Sequence, residues 1–275
     1  NAEIYAVELG RGDPLRLTSS ASDDWLPDWS ADGSRIAFTS SRSGGFDLWT
    51  MTAGGSDATA KVATAAWDEY ARWAPDGRRL AFASTAESQG VPNSEIFIWS
   101  PGEGAERLTD SPAEDQWPDW SPEGRIIYSE GWKGTANWDI WVVDSDAGNR
   151  VVWLGGSAVD VQATWSQDGK RVAFLRISED TNGNGGLYEE DRGDIWIANA
   201  DTSNLRRLTS GLWAINPAWS PDRTWVAFAL QHDSNDNRKS DGGDVSDIYA
   251  VRVADGELVP LVTSLGQDYA PAWTD

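Results

Sequence analysis

Short runs of alternating apolar and polar residues recur along the whole chain, separated by turn residues, as half-buried antiparallel strands require. One phrase anchors the pattern: a Trp followed by a polar turn. It occurs as Trp29-Ser-Ala-Asp-Gly, Trp73-Ala-Pro-Asp-Gly, Trp120-Ser-Pro-Glu-Gly, Trp165-Ser-Gln-Asp-Gly, Trp219-Ser-Pro-Asp-Arg and Trp273-Thr-Asp, at intervals of 44, 47, 45, 54 and 54 residues. Pro presets φ for such a turn and Gly tolerates positive φ. A short apolar strand follows each turn: Arg35–Phe38, Arg79–Phe82, Arg125–Tyr128, Arg171–Phe174 and Trp225–Phe228. The third strand opens on an acid (Glu3, Asp47, Glu95, Asp139, Asp194, Asp247), and a fourth reads Arg16-Leu-Thr, Arg107-Leu-Thr or Arg207-Leu-Thr. Four short strands repeated at this period predict the blades of a β-propeller.

The expected fold is therefore all-β: a six-bladed propeller of four-stranded antiparallel blades in a single domain, residues 1–275. Five blades run complete from Trp29 to the strand at Val259–Thr263. The sixth is split between residues 1–18 and 264–275, with its first strand at Tyr269–Trp273 and its third and fourth at Glu3–Val7 and Leu15–Thr18. A blade shared by the two ends of the chain would close the ring and remove exposed sheet edges. Asp275 falls inside a hairpin turn, which predicts a domain taken from a longer chain.

The leucine-threonine strand, the proline-x-tryptophan-serine-proline-aspartate-glycine turn and the isoleucine-alanine-phenylalanine strand resemble the TolB-type (WD40-like) propeller repeat over essentially the whole chain. That resemblance implies a fold more than a function. The family includes a periplasmic protein of the cell-envelope Tol system, gating domains of prolyl-oligopeptidase-like peptidases and many secreted proteins.

Function is expected where the repeats differ. From motif Trp to third-strand acid the distance is 18, 22, 19, 29 and 28 residues, so blades four and five carry long insertions rich in Asp, Asn and Gly. The first offers oxygens at loop positions 1, 3 and 5 (Asp180, Asn182, Asn184), Gly at 6, the carbonyl of Gly186 at 7 and a carboxylate at 12 (Asp191). That is the spacing of a calcium loop, with Asp in place of the longer Glu at position 12. The second offers Asp233, Asn235, Asn237, Asp241 and Asp244, but Arg238 replaces the turn Gly, which makes it the weaker calcium candidate. The lone histidine, His232, adjoins it.

Five residues before each motif Trp stands Asp24, Asp68, Asp115, Asp160 or Asp268; blade five has Ala214. At the entry to the innermost strand these carboxylates would ring the channel mouth. The functional expectation is an acidic funnel with Trp25, Tyr70, Trp117 and Trp213 beside it. The structural expectation is that each Asp accepts hydrogen bonds within its own loop. Antiparallel geometry puts strand-one entries and the loops between strands two and three on the same face, where loops on a rigid scaffold bind partners.

Composition narrows the partner. The net charge is -22 with 44 acidic and 22 basic residues, so nucleic acid and anionic lipid are disfavoured, while cations and basic proteins are favoured. No apolar run approaches the length of a membrane-spanning helix. No Cys and a single His leave no thiol or His-cluster chemistry. No Gly-x-Ser-x-Gly elbow appears, so as a peptidase component the chain could supply only a gate. A two-carboxylate propeller glycosidase, or a lyase, is the remaining catalytic alternative. The expectation is a non-catalytic, extracytoplasmic interaction or scaffold propeller, acidic and stabilised by calcium, with a protein partner.

Overall fold

The computed structural model describes residues 1–86, 93–183, 185–187, 191–232, 245–263 and 267–274. Among these residues the chain forms five four-stranded antiparallel sheets and one two-stranded sheet. The inner strands of the five sheets are Asp24–Trp29, Asp68–Trp73, Glu114–Trp120, Val159–Trp165 and Ala214–Trp219. Each is paired to the apolar strand after its turn, which is almost entirely buried, as in Arg35–Ser40 and Leu80–Ser84.

The motif Trp is the glue between blades. Trp73 packs against Ala37, Leu48 and Val62 of the preceding blade as well as Leu80 and Phe82 of its own. Trp120 does the same with Ile96 and Ile98, Trp165 with Ile127 and Ile140, and Trp219 with Ile195 and Ile197. Truncating such a residue to Ala costs about 3–5 kcal/mol.

The expectation of six blades is corrected: the described residues form five four-stranded blades, and no shared blade of the two chain ends closes a ring among them. In place of a four-stranded blade there is a two-stranded sheet, Tyr5–Glu8 paired with Arg11–Arg16. The segment Tyr269–Trp273 forms no strand, because no described residue pairs with it as a second strand. Its position nonetheless follows the repeat. Asp268 N–H donates to Ser246 O at 2.9 Å, as Asp68 does to Phe46 O and Asp115 to Ser94 O. The Trp273 indole donates to Ala218 O, as Trp219 does to Thr164 O. On the other side, Ile4 packs with Ile36, Phe38 and Met51 of blade one.

All six inner segments share one backbone feature. The second residue after the entry position has positive φ: Leu26, Tyr70, Trp117, Gln162, Asn216 and Ala270, between 48° and 60°. In the five paired strands the register shifts around this residue, marking a β-bulge.

Candidate binding face

Asp24, Asp68, Asp115 and Asp160 are fully buried, and their carboxylates face their own blades. Asp24 pairs with Arg42 at 2.5 Å. Asp68 accepts the hydroxyls of Ser84 and Thr64. Asp115 lies 3.4 Å from Ser111 Oγ, and Asp160 holds Arg176 through two bonds of 2.6 and 2.8 Å. Burial raises the pKa of Asp68, Asp115 and Asp160, and neighbouring donors only partly offset it. Asp268 is half-buried. Asp24, Asp68 and Asp160 tie strand entry to the next strand or the residue pair after it and Asp115 bonds its own loop, so these four do not present charge to solvent.

The expected aromatics divide into separate groups. Trp25 meets Phe46 at 4.9 Å between ring centroids, and Tyr70 meets Trp117 at 5.8 Å, with Trp138 behind it. Trp213 is buried apart from both groups, under the Arg192 guanidinium at 5.5 Å.

In the blade-four loop, Asp180 accepts the N–H groups of Gly183 and Gly185 at 2.6 and 2.9 Å. Asp191 is buried and accepts from Thr181 N, Thr181 Oγ1 and Asn182 N at 2.8–3.1 Å. The first and last carboxylates of the loop therefore pin its backbone. The Asn182 amide group is part of this turn, and Gly186 lies among the described residues. Asn184 lies outside them, as do Asp233, Asn235, Asn237, Asp241 and Asp244. No group of three or more His, Asp or Glu side chains poised for a metal occurs among the described residues.

Beside this loop the structure opens two adjoining cavities of about 360 Å³ each. Arg176, Arg192 and Arg207 line the first; Arg192 also lines the second, together with Leu212, Trp213 and Leu230. In the sequence only Arg207 stands out, as part of the repeated Arg-Leu-Thr strand and not as a site residue. The signal was present as a departure from the repeat. Opposite the entry residue in the strand ladder stand Ser40, Ser84, Glu130, Arg176 and Leu230, so only blade four places Arg there. Two residues before the third-strand acid stand Asn1, Gly45, Asn93, Asn137, Arg192 and Val245, so only blade four has Arg there.

A propeller with one face elaborated at blades four and five is the class of protein these observations define. The family model described as "TolB beta propeller domain" matches residues 1–131 and 67–240, and the chain belongs to that family. It is 34% identical over 141 residues to the Tol-Pal system protein TolB of Anaeromyxobacter dehalogenans (strain 2CP-1 / ATCC BAA-258), covering 51% of this chain and 28% of that protein. It is 26% identical over 111 residues to the "Uncharacterized peptidase YuxL" of Bacillus subtilis, covering 38% of this chain and 15% of that one. The crystal structure of TolB from Acinetobacter baumannii superposes with a TM-score of 0.72 at 18% identity, over 95% of this chain and 59% of that chain, a likeness of fold. The chain spans less than a third of the length of these two curated relatives.

Proposed function

We propose that this propeller is a non-catalytic interaction or scaffold module that acts outside the cytoplasm. The observation carrying this reading is the concentration of departures from the repeat at blades four and five: their long insertions in the sequence, and two cavities beside the described part of the blade-four loop. The insertions of blades one to three are shorter in the sequence, so the elaboration is not needed to build a propeller. Membership of the family that includes TolB proteins supports a protein partner, and the charge of -22 favours a basic one. The test is capture of envelope proteins by the chain. Reversing Glu179 and Asp180 to Lys should abolish capture, whereas reversing Asp146 and Asp201, in turns on the opposite face, should leave it intact. Equal capture by both variants would refute the assignment of the face. A second reading, a gate over a peptidase active site, is favoured by the similarity to YuxL. It requires hydrolytic activity from a domain joined to this one.

For the long loops we infer calcium as the ligand, on the all-oxygen donor order from Asp180 to Asp191. Asp180 and Asp191 would close that shell at its two ends, competing with the backbone amides they hold. Millimolar calcium, but not magnesium, should raise the melting temperature of chelator-stripped protein by linkage. The Asp180→Ala/Asp191→Ala double variant should lose the shift and remain folded. An unchanged melting temperature in the parent protein would remove calcium from the account.

A further inference from the structure

We propose that the rings of Trp25, Phe46 and Trp67, with the Glu69 carboxylate beside them, receive an arginine side chain of a protein partner. The proposal rests on the interaction reading and adds to it a second contact region, at blades one and two and apart from the long insertions.

The three rings form a continuous row across the seam between the two blades. Trp25 meets Phe46 at 4.9 Å between centroids, and Phe46 meets Trp67 edge to face at 5.5 Å. Each keeps surface for a partner. Trp25 and Phe46 are half-buried, and Trp67 is 59% exposed, more than any other aromatic among the described residues. The backbone beneath the row is fixed on both sides of the seam. Asp68 N–H donates to Phe46 O at 2.8 Å. Trp67 N–H donates to Thr85 Oγ1 at 2.9 Å, and the Trp67 carbonyl accepts from Thr85 N–H at 3.1 Å. A row held in this way loses little freedom when a partner arrives.

Glu69 supplies the charge. The pairs Asp68↔Ser84 and Glu69↔Ala83 continue the ladder from Trp67 and Thr85, so Trp67 and Glu69, two residues apart, project to the same side of the strand. Glu69 is half-buried, and among the described residues it has no hydrogen bond or ion pair. Burial and the neighbouring Asp68 carboxylate raise its pKa, and no positive charge offsets them. At the same place in the other inner segments stand Trp25, Gln116, Val161, Ile215 and Tyr269, so building a blade does not need a carboxylate there. A half-buried carboxylate without a counter-ion is costly until a cation reaches it.

The nature of the guest follows from how the chain treats its other rings. Trp49, Trp99, Trp120, Trp141, Trp196 and Trp219 each carry an arginine or lysine at 4.0–5.8 Å from the ring centroid. Among the described residues no basic side chain stacks on Trp25, Phe46 or Trp67. Arg42, four residues before Phe46, is spent on Asp24 and lies over Phe38 and Trp49. A guanidinium from outside would take the position that the chain's own cations fill elsewhere, and would pair with Glu69. Its flat, weakly hydrated group suits stacking better than an ammonium does. The net charge of -22 draws such a guest toward the surface.

The test is an NMR titration of the intact chain with acetyl-arginine methylamide, its uncharged citrulline analogue, and cellobiose, a neutral sugar that could also stack on indole rings. The backbone amides of Gly45, Phe46 and Glu69 are the reporters. Those of Asp146 and Asp201, in exposed turns, are the controls. The arginine compound should give saturable shifts at the reporters and not at the controls; the citrulline analogue and the sugar should give none. Glu69→Gln should weaken binding about tenfold, the worth of one charge-assisted contact, and Trp67→Leu about threefold, the worth of one exposed cation–π contact. The dispersion of the same spectra shows whether each variant is folded. No saturable shift, equal binding of the citrulline analogue, tighter binding of the sugar, or equal shifts at Asp146 and Asp201 would overturn the proposal. Arginine binding here without capture of envelope proteins would defeat the interaction reading alone, and capture without arginine binding here would defeat this inference alone.

Discussion

At the scale of single residues, the turn after each motif Trp shows how closely chemistry follows backbone. Gly33, Gly77, Gly124 and Gly169 occupy the last turn position with φ between 64° and 85°, and Arg223 occupies it in blade five with φ 61°. A β-carbon in this region crowds the following carbonyl, at a cost of about 1–2 kcal/mol. Arg223 brings little in return: its guanidinium lies 3.5 Å from Asp168 in an exposed pair, worth about 0–1 kcal/mol. The bond from Arg171 Nη2 goes to the Arg223 carbonyl and survives substitution. Arg223→Gly should therefore stabilise the protein by about 1 kcal/mol in urea denaturation; a loss of stability would show that the interblade pair dominates. The inner-strand positions run the other way. Leu26, Tyr70, Trp117, Gln162, Asn216 and Ala270 all adopt positive φ without Gly, so nothing in the sequence marked them. The bulge is imposed by the ladder on either side.

At the scale of elements, the second strands were legible because each carries a run of three or more apolar residues and a turn fixes its start. The expected Arg35–Phe38 and Arg171–Phe174 became Arg35–Ser40 and Arg171–Ile177. The outermost strands were less so: Arg207–Thr209 was expected, but the strand is only Arg206–Arg207. There Leu208 and Thr209 turn inward, with Thr209 bonding Asp194 and Ile195. The candidate face was half legible. Oxygen-rich loops stand out in a sequence, whereas Arg176 and Arg192 become conspicuous only once strand register shows that no other blade has Arg at those places. Close approach was equally hidden. In blade three Gly131 faces Trp138 across the ladder, and a β-carbon at Gly131 would lie 2.4 Å from the Trp138 ring. Trp138 is fully buried and cannot swing aside. Gly131→Ala should destabilise the protein by about 1–3 kcal/mol, as overpacking does. Trp138→Phe should not recover that loss, because a Phe ring keeps its Cγ, 2.5 Å from that β-carbon, and the Asn137 carbonyl oxygen lies equally close; a double-mutant cycle checks this.

At the scale of the whole molecule, the acidity of the chain opposes folding. A compact chain carrying a charge of -22 repels itself, and several of its carboxylates are buried as well. Asp28, half-buried on an inner strand, is affected as well. Burial pushes its pKa up to about 6, against the attraction of Arg72 and with help from Asp119 across the inner strands. Burial raises Asp119 in the same way. A carboxyl whose folded pKa lies above its unfolded value binds protons more tightly in the native state. Its contribution to stability is full below the unfolded pKa near 4 and is lost as pH rises through the folded value. Turn carboxylates act oppositely. Hydrogen bonds from Ser30 and Ser34 hold Asp32 down at about 2, and Asp222 is lowered by Ser220 and Thr224. Their contribution is present above pH 4 and lost on acidification toward 2. Stability in urea should therefore rise as pH falls from 8 to 5, and then decline below about 4. Asp28→Asn keeps an acceptor for the Trp73 N–H, which Asp28 now binds at 2.8 Å, and removes one buried titration. Its pH profile between 5 and 8 should be flatter than that of the parent. Salt should stabilise the protein more at pH 8 than at pH 5, because screening acts on a larger net charge there. A profile unchanged by Asp28→Asn but flattened by salt would assign the slope to diffuse surface repulsion. A profile insensitive to salt but flattened by the substitution would assign it to the charges buried between the inner strands.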